Sequence, residues 1–275
     1  MQFTTLLTTA ILAATALAAP SGAMGHGLAA RVASRTQRRT QPLERLTTTS
    51  GAVEGPVANS NTSHVEYSSN WAGAVYEEPP SGTFTAVSAT ITVPVPTATA
   101  AGTYSASAWV GIDGDTYGNA ILQTGVDFTA TKSGSQTTYS YDAWYEWYPD
   151  YAYDFSLSIS AGDVIFFSVT SSSSTKGVAV IENLTTGKSV SKTITSSSAL
   201  GGQNAEWIVE DFESNGSLVA FADFGTVLFT GAVAKTSSGT SVGTSDATII
   251  DIKQSNKVLT SVTIPSSSEV QVTYE

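Results

Sequence analysis

Cysteine is absent from all 275 residues. Arginine stops at Arg45, and histidine occurs only as His26 and His64. Each shortage removes a chemistry. Without Cys there is no thiolate nucleophile and no disulfide to staple the fold. With His64 near the start of the main body, neither a Ser-His-Asp relay nor a His-based metal site can be assembled convincingly. Reactive groups must come from Asp, Glu, Gln, Tyr or Trp. Apolar residues spaced by three and four are also missing, so no respectable helix is expected.

The first nineteen residues are an apolar run through Leu6, Leu7, Ile11, Leu12 and Leu17, closing on Ala18-Ala19 before Pro20. The pattern predicts a cleaved secretory signal over residues 1–19, although its first residues carry no basic side chain. A membrane anchor would need a longer apolar stretch of roughly 18 to 20 residues, so no membrane partner is expected and the chain is expected to be secreted. Residues 20–60 differ in character: Arg31, Arg35, Arg38, Arg39 and Arg45 lie here among Ser, Thr, Gly and Gln, a composition that cannot bury a core of its own. Two readings stand. The segment is a basic propeptide covering an acidic cleft and inhibiting it, or it is an ordinary linker. The Arg38-Arg39 pair marks one processing point, and the mature chain would begin there or nearer Asn59.

Beyond the leader, 21 carboxylates face seven lysines and no arginine, a net charge near −14. Nucleic acid is an unfavourable partner for such a surface. Dense negative charge relaxes as carboxylates protonate, which points to acidic surroundings, though the same charge also confers solubility. Sequons stand at Asn61, Asn183 and Asn215.

Residues 61–275 read as one all-β domain acting as a monomer. Short alternating runs such as TFTAVSATITV, TYSASAWVGI, DFSLSISAG, VIFFSVTSS, GVAVIENL, SLVAFADFGTVLFTGAVA and EVQVTYE predict strands. Their number implies a large antiparallel sandwich or jelly roll, with loops at 171–175 and 196–202; the Ser and Gly run of the latter makes the 203–205 region after it a candidate lid.

Three segments combine aromatics with carboxylates or amides: 109–127 (WVGIDGDTYGNAILQTGVD), 141–150 (YDAWYEWYPD) and 203–213 (QNAEWIVEDFE). All five tryptophans lie in or beside such polar motifs, which suits a binding groove, although any single Trp also suits a sandwich core. Asp113-Gly114-Asp115 has the opening of a calcium loop, but Tyr117 takes the next ligand position, so a turn is the better reading. Glu206 beside Trp207 could be half buried with a raised pKa or stand outward on its strand.

The series SNWAG, AWVGIDG, ILQTGVD, YEWYP and AEWIVED, in that order, resembles the glutamic peptidases, or eqolisins, of filamentous fungi. The resemblance implies a concanavalin A-like β-sandwich of two large curved antiparallel sheets with a cleft on the concave face. It places the family's catalytic Gln and Glu at Gln123 and Glu206, acting on polypeptide substrates through an activated water, with no metal, cofactor or covalent intermediate. Trp109, Asp113, Asp127, Glu146 and Trp147 come from neighbouring motifs and are expected around that pair. Strand alternation puts Glu210 on the face of Glu206 and Asp211 off it. The rival readings are a glycoside hydrolase using Glu146 and Glu206 and a lectin-like module without turnover.

Overall fold

The computed structural model describes residues 38–46 and 65–275. The expected signal, most of the leader, Asn61 and His64 lie outside the described residues. Among the described residues there is no helix. Two large sheets carry the domain, one of eight strands and one of nine. The spatial order across the larger sheet is Thr248–Gln254, Trp71–Tyr76, Ala205–Glu210, Gly102–Ile112, Ile121–Ser133 and Gln136–Tyr148. All of these neighbours are antiparallel. One parallel pair, Val65–Ser68 with Thr248–Gln254, departs from the wholly antiparallel expectation.

Alternation gives each strand of the larger sheet two differently used faces. Ala72, Ala74, Ala108, Val110, Leu122, Val126, Trp207 and Val209 point toward the other sheet, where they meet Phe84, Ile91, Phe167, Val227 and Phe229 in the main core. Burying that apolar layer at about 25 cal/mol per Å² supplies the stability that disulfides would otherwise provide. The opposite face carries a smaller cluster: Trp71, Val75, Trp109, Trp144, Ile208 and Ile250. Trp71 and Trp109 pack edge to face with centroids 4.9 Å apart, a contact worth roughly 1 kcal/mol beyond its area.

Several expectations need adjustment. The run DFSLSISAG contributes only Asp154, to the two-residue strand Tyr153–Asp154, and its remainder is irregular. The long run from Ser217 divides into Ser217–Leu218 and Thr226–Thr236. Lys188–Thr195 forms an edge strand with little apolar alternation: only Val190 and Ile194 touch the core, and the other residues are polar and exposed. The 196–202 loop and the candidate lid after it are tied down: Ser198 O accepts from Trp147 Nε1, Gly202 O from the Phe84 amide, and the Gln203 and Asn204 amides donate to Asp113. Of the sequons, the Asn183 side chain is buried and donates to Asp163, whereas Asn215 is exposed at a hairpin tip.

Candidate active site

Four strands place one row of side chains across the face that bears the small tryptophan cluster. Glu206 pairs with Gly111, Gly111 with Gln123, and Gln123 with Glu146. Directly opposed residues share a face, so all four project to the same side. Two strand spacings separate the Glu206 and Gln123 backbones by roughly 10 Å, which leaves room for a peptide group and a water between their side chains. A Cβ on Gly111 would stand 2.6 Å from Glu206 Oε1 and 2.8 Å from Trp109 Cζ3, so any larger intervening residue must displace these side chains. Both side chains are fully buried, and none of their four polar atoms has a protein hydrogen-bond partner. Burial is expensive for such groups unless they serve a purpose there.

Burial pushes the Glu206 carboxyl well above the usual carboxylate range, and the charges of Asp113 and Asp115 add to it. Two strand positions along, Glu210 shares the face and accepts from Trp109 Nε1 at 3.0 Å. Burial raises Glu210 well above its ordinary range against the pull of Arg38, with the charge of Glu146 adding to the rise. Glu146 is pushed up to about 8, again by burial and against Arg38. Burial thus favours the protonated form of all three carboxyls while the site is covered.

The cover is the chain's own leader. Residues 38–46 cross this face, with Arg38 wholly enclosed. Its guanidinium donates to both Asp127 oxygens, Nε to Oδ2 at 2.9 Å and Nη2 to Oδ1 at 2.8 Å. It also reaches Glu146 at 3.4 Å and lies 4.1 Å from the Trp144 ring centroid. Burial opposes the Arg38 charge, but Asp127, Glu146 and Glu210 outweigh it and hold the group above its usual range. Further along, the Thr40 amide donates to Glu146, the Gln41 amide to Glu210, and Trp71 Nε1 to the Gln41 carbonyl. The Leu43 amide donates to Gly114 O, and Arg45 meets Asp115, Glu66 and Glu77. A segment unable to form a core alone thus becomes ordered by ion pairs and main-chain hydrogen bonds to the domain.

Gln123, Glu206, Trp109, Asp127, Glu146 and Glu210 all stand on this one face. Asp113 does not join the row. It sits just past its strand at φ 69° and accepts from the amides of Gly201, Gly202, Gln203 and Asn204, thereby fixing the approach to Glu206. Trp147 turns the other way, into the inter-sheet core, because it is one residue out of phase with Glu146. Trp207 does the same, so three tryptophans rather than five line the cleft. Asp211 leaves the face, bonded by Gln254. Asp113-Gly114-Asp115 forms the expected turn, closed by the Gly114 amide on Tyr117 O. Sequence reasoning missed Gly111 and Ser107, and marked Arg38 only as half of a dibasic processing point. Ser107 accepts from Arg38 and Trp144 and donates to Asp127; only its position two residues before Trp109 could have indicated it.

The Peptidase A4 family profile matches residues 69–274. The chain belongs to the Peptidase A4 family. It is 47% identical over 294 residues to Aspergillopepsin-2 of Aspergillus niger and 41% identical over 285 residues to Scytalidopepsin B of Scytalidium lignicola, in each case spanning both chains fully. Among solved structures, scytalido-glutamic peptidase with a peptide-based transition state analog superposes with a TM-score of 0.65 at 42% identity, over 75% of this chain and 98% of that one. Aspergilloglutamic peptidase from Aspergillus niger gives 0.57 at 59% identity, over 62% and 99%. This Peptidase A4 member is accordingly a peptidase of the glutamic type, and its two sheets form the eqolisin β-sandwich. The family profile starts after the leader, so it covers the domain that bears the row and not the segment lying on it.

Proposed function

We propose that this chain is a secreted acid endopeptidase in which Gln123 and Glu206 are the catalytic pair and the 20–60 leader is an inhibitory propeptide. The observation that carries the reading is the shared row: an amide and a carboxyl, one strand apart on either side of Gly111, with no protein partner for either side chain. Departure of the leader admits water to Glu206 and removes part of the burial that raises its pKa. As a carboxylate, Glu206 takes a proton from water, whose oxygen attacks the scissile carbonyl carbon. The Gln123 amide N–H donates to the oxygen that becomes negative, and its carbonyl helps orient the water. Glu206 then returns the proton to the departing amine as the C–N bond breaks. A carboxyl with an elevated pKa suits that second step.

Trp109 and Glu210 border the pair through their mutual hydrogen bond, while Asp127 and Glu146 bind the leader. The extended leader, pinned along the cleft by its main chain, supports both a polypeptide substrate and inhibition before processing. The glycosidase alternative is disfavoured: Glu146 and Glu206 are three strand spacings apart, roughly 14 Å between backbones, and Glu146 is engaged by Arg38 and Thr40. The test is digestion of an unfolded protein by the processed chain at mildly acid pH, with products mapped by mass spectrometry. Internal peptide-bond cleavage is expected; intact protein alongside cleaved polysaccharide would reverse the assignment.

A further inference from the structure

Outside both large sheets lies a hairpin of Glu213–Ser214 and Ser217–Leu218, closed by Asn215-Gly216 with φ of 58° and 75°. Two-residue strands have little stability of their own, and this hairpin is completed by a third strand, Arg38–Arg39 of the leader. The register sets Arg38 against Ser214 and Arg39 against Glu213. In a two-residue hairpin the residues flanking the turn face each other through their main-chain groups, and the Val219 amide bonds Phe212 O two positions away. By that alternation Ser214 and Phe212 turn inward, and the outward N–H and C=O belong to Glu213, opposite Arg39.

Side chains reinforce the strand pairing. Gln41 Nε2 donates to Glu213 at 2.9 Å, the Arg38 guanidinium lies 4.5 Å from the Phe212 ring centroid, and that of Arg39 lies 4.6 Å from the Tyr151 centroid. A cavity of about 420 Å³ opens between Tyr151 and the hairpin, lined also by Arg39 and Gln41. The leader meets the hairpin immediately before Thr40, whose amide is bound by Glu146, the cross-strand neighbour of Gln123. Removing the leader exposes the Glu213 main chain as an open edge leading to the catalytic row.

We propose that this edge pairs with substrate: in the processed enzyme the main chain of Glu213 takes an extended polypeptide as a third strand, on the N-terminal side of the scissile bond. The inference rests on the peptidase reading and on substrate following the leader's track and direction. Main-chain pairing supplies affinity without demanding particular side chains, so it would lengthen the recognised segment while leaving sequence tolerance broad.

The experiment compares two fluorogenic peptides sharing one scissile bond, one of them extended by about six residues at its N-terminus. Wild-type processed enzyme should show a KM at least tenfold lower for the long peptide. Glu213→Pro, which removes the N–H, should lose that advantage yet cleave the short peptide at the wild-type rate, whereas Glu213→Ala should retain most of it. Independently of any folding effect, N-methylation of single amides along the extension should raise the wild-type KM at one position in the ladder and little at its neighbours. Equal KM for both peptides, or a long-peptide advantage untouched by both Glu213→Pro and N-methylation, would overturn the proposal. Failure to cleave either peptide would instead refute the peptidase reading beneath it.

Discussion

Gly111 and Glu206 are cross-strand partners, and the carboxyl of Glu206 occupies the space that a side chain on Gly111 would need. Gly111→Ala should therefore displace Glu206 without unfolding the sheet. Displacements near 1 Å can cost about 100-fold in rate, so kcat should fall by about that factor while KM changes little. Steady-state kinetics on a short peptide, with the circular dichroism spectrum as a folding control, reads the result.

The Arg38–Asp127 pair is buried between the leader and the domain. Breaking one side of such a pair leaves an uncompensated charge and costs roughly 3–5 kcal/mol. A synthetic peptide covering residues 38–46 should inhibit the processed enzyme, and its Arg38→Ala form should bind at least 100-fold more weakly. Because Arg38 is enclosed, a protease should also fail to cut after Arg39 until the leader is released; limited proteolysis of the full chain checks this.

Much of this organisation was legible in the sequence, and the remainder was hidden for identifiable reasons. Alternation exposed strands whose two faces differ in polarity, such as Phe84–Thr92, and concealed Lys188–Thr195, where only Val190 and Ile194 touch the core. Period-two reasoning put Glu210 on the face of Glu206, since both belong to one strand. It could not separate Trp144 from Trp147, because they lie in opposite phase and only the register decides which phase is the core. Gly111 carries no functional group to notice. Arg38 stood out as half of a dibasic pair, but its partner Asp127 is 89 positions away. Gln123 was indicated only by the ordered motifs around it, since a polar residue in a strand is ordinarily unremarked.

Two buried carboxyls outside the cleft predict instability toward neutral pH. Burial raises Asp211 to about 7 and Asp251 to about 6, against the hydrogen bonds from Gln254 and Thr260. Both groups bind protons more tightly folded than unfolded. Stability is therefore greatest below the unfolded pKa near 4 and declines as pH rises through the folded values. Urea denaturation of the processed chain across mildly acid to neutral pH should show this loss, and Asp211→Asn with Asp251→Asn should flatten it.

Asp113 gathers four consecutive amides with one carboxylate. Asp113→Ala strands those donors at a cost of about 1–3 kcal/mol for each one that stays buried and unpaired. The folded chain should lose about 3 kcal/mol or more, and hydrogen exchange should accelerate at residues 201–204 before the strands of the larger sheet.

The most direct measurement is the rate of peptide hydrolysis at mildly acid pH by processed wild type, Gln123→Glu and Glu206→Gln, each shown to be folded by its near-ultraviolet circular dichroism. Loss of activity by at least 1,000-fold in both variants is the outcome the paired mechanism requires, on the scale of removing an oxyanion donor or a general base. Wild-type turnover in either folded variant would contradict it.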